Sequence, residues 1–178
     1  MRIFYDTEFR EDGRLIDLIS IGMVRDDGTQ YYAINRECDW HEVVRHDWLR
    51  KHVVPYLPIR FPSESSNIWI WDETHHDYEA LRTRKQIAHE VRRFITDTPK
   101  AELWAWYGAY DHVTLAQLYG PMINLPSGIP MWTNDLRQET ARLGDPPLPP
   151  QMSCEHNALD DALYLRSCAQ ELDALEAA

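Results

Sequence analysis

Hydrophobic and polar positions alternate with a period of two near the start of the chain and with a longer, helical period further on. Residues 2–9, 15–24 and 29–35 read as three strands, and Asp12-Gly13 and Asp27-Gly28 between them are hairpin signals. The stretch WHEVVRHDWLRKHVVPYLP, 40–58, predicts a helix running into proline, with Trp40, Val44 and Trp48 recurring every four residues as its apolar face. A looser region with Pro55, Pro58, Pro62 and several serines follows. Residues 82–99 then predict a second helix, with Ile87, Val91, Phe94 and Ile95 on one face and Pro99 after its end.

AELWAWYG, 101–108, is a candidate central strand, and YDHVTLAQLYG leads from it into a short helix. The segment around MWTNDL predicts another strand, passing into a helix near LRQETARLG. The proline-rich GDPPLPP precedes a last helix over about 157–175. A hairpin meander followed by alternating helices and strands predicts a mixed sheet flanked by helices, an α/β fold. No internal repeat or low-complexity linker divides the chain, so one domain over 1–178 is expected.

Composition and charge narrow the functional classes. With 178 residues, 44% hydrophobic and 26% charged, the chain can bury an ordinary globular core. Arg2, Asp6 and Glu8 deny the N-terminus a signal-peptide core, and no apolar run is long enough to cross a bilayer. Cys38, Cys154 and Cys168 are odd in number and form no CxxC pair, which argues against a disulfide framework or structural zinc. A reducing cytoplasm is the expected setting. The formal net charge of −11 argues against a broad basic surface gripping long nucleic acid. Nucleic acid remains compatible if bound cations supply positive charge in a small cleft.

Several acids fall where a core would be expected. In FYDTEF, residues 4–9, the period of a strand turns Asp6 and Glu8 to one face, their Cα atoms roughly 6–7 Å apart. A solvated strand face would carry the same pair, but Ile3, Phe4, Tyr5 and Phe9 around it speak for burial. Asp111 stands where the strand 101–108 gives way to a helix, a position that suits a ligand but taken alone favours capping that helix. On the last helix, Ala158, Ala162, Ala169 and Leu172 fall within about 60° of Leu165 at 100° per residue. Asp161 lies about 40° from that buried centre and Asp160 about 140° away, toward solvent. His156, five residues before Asp161, stands at the helix start, as a structural hydrogen-bonding group or as chemistry.

Other features weigh less. DETHHDY, 72–78, gathers His75 and His76 with acids but reads as a solvated loop. Arg82, Arg84, Lys85, Arg92 and Arg93 form the largest basic group, either a solvated helix face or a guide for RNA or a second subunit. Most of the seven Trp and nine Tyr belong in a core.

D-x-E in a first strand, Y-D at a strand-to-helix junction and H-x-x-x-x-D on the last helix occur in order: Asp6 and Glu8, Tyr110 and Asp111, His156 and Asp161. This pattern resembles the DEDDh branch of the 3′→5′ exonucleases, typified by ribonuclease T, oligoribonuclease and the polymerase proofreading subunit. The short acidic chain with an early helical insertion looks most like the exoribonucleases described from mycobacteria.

The resemblance implies an RNase H-like fold with a five-stranded mixed sheet: three antiparallel strands, then two parallel to the first. It implies two divalent cations, Mg²⁺ or Mn²⁺, for which an all-oxygen ligand set is suited. Asp6 would bridge them, Glu8 and Asp161 would complete the site of the nucleophilic water, and Asp111 would support the second ion. His156 would be the general base, with Phe9 and Tyr110 beside the substrate. The implied activity is release of nucleoside 5′-monophosphates from RNA 3′ ends, single-stranded or overhanging, by a homodimer. A DNA exonuclease and a non-catalytic nucleotide-binding module on the same fold stay open at this point.

Overall fold

The computed structural model describes residues 1–63, 66–153 and 155–177. Strands β1 (Arg2–Glu11), β2 (Ile16–Arg25) and β3 (Gln30–Asn35) form the expected antiparallel meander. Gly13 and Gly28 take φ of +80° and +87° in its turns, the conformation that makes glycine the fitting residue there. The period-two pattern then divides β1 between two layers. Ile3 and Tyr5 join Ile87, Val91, Phe94 and Ile95 of helix α3 (Arg84–Thr96) on one side. Phe4 packs on the other with Leu165, Cys168, Ala169 and Leu172 of the last helix, α6 (Ala158–Glu176).

The segment between β3 and α3 departs from expectation. The helix read over 40–58 is broken into α1 (Trp40–Val43) and α2 (Asp47–His52), followed by a 3₁₀ turn at Val54–Tyr56 that contains Pro55. Asp39 caps α1, and the His46 side chain accepts from the Leu49 N–H to cap α2. The break shifts the helical phase, so Trp40 and Val44 are buried while Trp48 is 46% exposed. Beyond α2, β4 (Ile59–Arg60) and β5 (Ile70–Trp71) make a small separate sheet. A cluster of Ile19, Ile34, Trp40, Val43, Leu49 and Val53 packs this segment on β2 and β3.

The main sheet has six strands rather than five, in the order β6-β3-β2-β1-β7-β8. The added strand, β6 (Leu81–Arg82), lies parallel to β3 at the edge. Two residues are too few to display a period, and the predicted helix 82–99 takes in the second of them, Arg82. That helix starts at Arg84, behind a capping box made by Thr83 and Gln86. Strand β7 (Glu102–Ala105) runs parallel to β1, and β8 (Asn134–Asp135) parallel to β7, as expected. Helices α4 (Ala109–Gln117) and α5 (Leu136–Arg142) follow β7 and β8.

One contact sets the height of α6 over the sheet. Gly22 pairs with Asp6 across the β1–β2 ladder, and a Cβ placed on it would stand 2.2 Å from the Ala158 carbonyl oxygen. The backbone of the first turn of α6 therefore rests directly on β2, next to Asp6. Ala158, Ala162, Leu165, Ala169 and Leu172 are buried, as the helical period predicts. Cys38 and Cys168 are buried free thiols, and Cys154 lies outside the described residues. Among the described residues no helix is long and apolar enough to cross a membrane.

Candidate active site

Strand β1 carries the centre of the site. Cross-strand partners share a face of a sheet, so Asp6, opposite Gly22, points toward α6, and Glu8, opposite Ser20, follows it. Strand β7 pairs with β1 only at Arg2, Ile3 and Phe4, which leaves the backbone of β1 open on that edge further along. Asp111 closes the gap. Its Oδ1 accepts from the Thr7 N–H at 2.9 Å and from the Thr7 hydroxyl at 2.6 Å. Asp111 sits in the first turn of α4, where the helix dipole favours an anion, but the cap position belongs to Gly108. The carboxylate thus bridges to β1 instead of capping its own helix.

Asp161 arrives from the opposite layer. Asn157 caps α6 by accepting from the Leu159 and Asp160 N–H groups, which leaves Asp161 free to turn inward. Its Oδ2 accepts from the His156 backbone N–H at 2.9 Å and its Oδ1 from Gln151 Nε2 at 2.6 Å. His156 adopts a left-handed φ of +67°. Ligand-type atoms of Glu8, His156 and Asp161 lie within 4.8 Å of one another. The sequence-predicted acids and histidine therefore meet in one place, at the middle of β1 just beyond the end of β7 and at the starts of two helices.

The electrostatics are those of uncompensated charge. Glu8 is pushed up to about 8 by burial and then by the charges of Asp161 and Asp111. Burial, then repulsion from Asp111, Glu8 and Asp161, also holds Asp6 well above the ordinary carboxylate range. Burial lifts Asp111 to about 6, with the Thr7 hydrogen bonds opposing it. Asp161 is raised by burial and partly restored by Gln151 and the His156 N–H. Among the described residues no lysine or arginine forms an ion pair with any of the four. Buried acids that repel one another without a protein cation fit a divalent metal, and hard oxygen donors suit Mg²⁺ or Mn²⁺.

The acids line a cleft of about 630 Å³ that is otherwise largely apolar and aromatic. Phe9 and Tyr110 stack across its mouth, their planes 4° apart and centroids 5.8 Å apart. Tyr110 is 53% exposed, so one face of its ring is open to the cleft. Trp106, Tyr107, Leu148 and Tyr164 complete the walls. The Tyr164 hydroxyl donates to the Pro149 carbonyl and ties down the proline-rich loop that carries Gln151.

Sequence reasoning missed Thr7 and Gln151. Thr7 reads as the outward member of an alternating strand, and Gln151 follows prolines that show no periodicity. The histidine pair in DETHHDY does not point apart as a strand would require. The segment is a turn, His75 and His76 stack at 4.3 Å, and their ligand atoms come within 4.8 Å of one from Asp77. In the basic group, Arg82 pairs with Glu90, Arg84 with Asp17 and Arg93 with Asp97. None of these arginines lines the cleft.

Residues 1–172 match the family described as the 3′-5′ exoribonuclease Rv2179c-like domain. The chain is 45% identical over 164 residues to 3′-5′ exoribonuclease Rv2179c of Mycobacterium tuberculosis strain H37Rv, covering 91% of this chain and 87% of the relative. The same identity and coverage relate it to 3′-5′ exoribonuclease MT2234.1 of strain CDC 1551.

Proposed function

The chain belongs to the Rv2179c-like family of 3′-5′ exoribonucleases, and from that premise we propose that it shortens RNA from single-stranded or overhanging 3′ ends by metal-dependent hydrolysis. Each cycle releases a nucleoside 5′-monophosphate. The observation that carries this reading is the convergence of Asp6, Glu8, Asp111 and Asp161 with His156 in one cleft. The acids in this order, and a sheet whose three antiparallel strands are followed by two parallel to the first, support the DEDDh branch and an RNase H-like fold. The names of the relatives favour RNA over DNA as substrate.

Asp6, Glu8, Asp111 and Asp161 would hold two divalent cations, Mg²⁺ or Mn²⁺, which when bound stabilise charge on the attacking and leaving oxygens of an in-line displacement. The protein's own groups do the rest. His156, whose ring nitrogen lies close to Glu8 and Asp161, takes the proton of the attacking water. Phe9 and Tyr110 offer faces on which the terminal base can stack. Thr7 fixes Asp111 through two donors, leaving the other carboxylate oxygen available. Thr7→Val keeps the backbone donor and removes the hydroxyl. It is expected to weaken Mn²⁺ binding roughly 10-fold by isothermal titration calorimetry, the usual effect of losing a group that orients a ligand. Unchanged affinity would remove Thr7 from the site.

Further features fit the same reading. Exposed Val113, Met122 and Met131 line one hollow beside α4, an apolar surface suited to a homodimer. The buried thiols Cys38 and Cys168 suit the reducing cytoplasm. All three core clusters draw on the strands of one sheet, in keeping with a single domain over 1–178.

The test is a 5′-labelled oligomer incubated with Mg²⁺ or Mn²⁺, as RNA and as DNA, with the wild-type chain and His156→Ala. The expected result is a shortening ladder on RNA, with His156→Ala slower by roughly 10²- to 10⁴-fold. A ladder on DNA alone would transfer the activity to DNA. Cleavage of neither would favour a binding module.

A further inference from the structure

His156 is held from outside the acid cluster as well as from within it. It precedes the Asn157 cap of α6 and takes a left-handed φ of +67°, which costs a non-glycine residue free energy and persists only where its surroundings impose it. Its imidazole faces Glu8 and Asp161 on one side. On another it meets two rings of α2: the Trp48 indole at 4.9 Å between centroids and 74° between planes, and the His52 imidazole at 5.7 Å and 78°. Trp48 and His52 stack on each other at 5.0 Å and 28°, as residues one helical turn apart can. Together they form a wall against which the His156 ring stands edge to face.

That wall is anchored. Leu49 is buried in the core of the segment, and the His46 side chain caps the helix. Arg50 donates to the Val44 and Ser66 carbonyls and lies over the Phe61 ring, joining α2 to the chain on both sides. Trp48 itself is nearly half exposed, so its packing against two imidazoles is not explained by burial in a core.

We propose that Trp48 and His52 are positioning residues that lock the His156 imidazole in its orientation toward the acid cluster, giving the segment between β3 and β6 a part in turnover. This rests on the reading of His156 as the general base. An imidazole on a loop outside regular structure would otherwise populate several rotamers, only one of which presents its nitrogen to the attacking water. Fixing that rotamer raises the fraction of complexes ready to react without altering how tightly RNA binds.

The test is steady-state kinetics on RNA with Trp48→Ala, Trp48→Phe, His52→Ala and His156→Ala, and with Trp48→Ala placed in the His156→Ala background. Trp48→Ala is expected to lower kcat roughly 10- to 100-fold with KM within about twofold. Trp48→Phe, which keeps an aromatic wall, recovers most of the loss, and His52→Ala shows a smaller loss of the same kind. In the His156→Ala background, Trp48→Ala has no further effect on kcat. Circular dichroism of each variant is expected to match wild type, since Trp48 lies at the surface. An undiminished kcat in Trp48→Ala, with His156→Ala inactive, overturns the positioning role and leaves the base intact. A raised KM at constant kcat makes Trp48 an RNA contact instead, and an equal loss in both backgrounds makes it structural. Full activity of His156→Ala removes the base itself and is thereby told apart from all of these.

Discussion

Asp6→Asn is expected to abolish RNA shortening while making the metal-free protein more resistant to heat at pH 8. Asp6 stands among Asp111, Glu8 and Asp161, all three of which repel its charge. Removing that charge relieves the cluster in the absence of metal and, on the proposed reading, would weaken the metal site at once. Loss of a bound divalent cation removes several kcal/mol of transition-state stabilisation, or roughly a thousandfold in rate. The pH dependence follows from the same charges. Glu8 titrates near 8 in the folded chain against an ordinary 4.5. Between those values the folded chain holds a proton that the unfolded chain has released. The contribution of Glu8 to stability is therefore complete below about pH 4.5 and is lost as the pH rises through about 8. Asp6 shifts in the same direction and adds to the decline. Differential scanning fluorimetry in EDTA should show the wild-type midpoint falling from pH 5 to pH 8 more steeply than that of Asp6→Asn. Added Mn²⁺ should raise the wild-type midpoint more at pH 8 than at pH 5, because at low pH protons already neutralise the acids. An Asp6→Asn protein that turns over RNA within tenfold of wild type, or that melts lower than wild type in EDTA at pH 8, would sink this account.

How legible the site was depended on the kind of regularity each residue obeys. Asp6 and Glu8 obey the period of two, and Asp161 falls near the buried stripe of α6, so the face of each could be read from spacing, while their meeting in one site was implied by the family resemblance. The α/β class was legible from the order of strands and helices, whereas the parallel placement of β7 and β8 was an implication of the family resemblance. Trp48 was misplaced because a spacing of four has meaning only while a helix is continuous, and the caps at Asp39 and His46 split this one. Its exposed ring, lost to the core, is what reaches His156. Thr7 was illegible for a different reason. Its backbone N–H needs a partner only because β7 stops pairing after Phe4, a fact of strand length rather than of residue type. Strand β6 was hidden because a ladder of two residues leaves no period to detect.

Gly22→Ala is expected to be the most damaging of the glycine-to-alanine changes. The new Cβ would lie 2.2 Å from the Ala158 carbonyl oxygen and 2.4 Å from the Leu159 Cα, far inside contact distance and against backbone that cannot rotate away. Either α6 lifts from the sheet or β2 bends. Overpacking of this kind costs about 3 kcal/mol or more, which for a chain of this size lowers the thermal midpoint by roughly 10 °C. Activity should suffer beyond what stability explains. The start of α6 fixes His156 and Asp161 over Asp6, the cross-strand partner of Gly22. A displacement of about 1 Å there is expected to lower kcat on the order of 100-fold in whatever protein remains folded. Gly13→Ala is the control. Gly13 has φ of +80°, but a Cβ added to it would meet no atom within 4 Å, and its hairpin lies outside the cleft. Its cost should be the backbone strain alone, about 1–2 kcal/mol, with kcat unchanged. If Gly22→Ala melts no lower than Gly13→Ala and keeps wild-type turnover, direct seating of α6 on β2 is not what assembles the site.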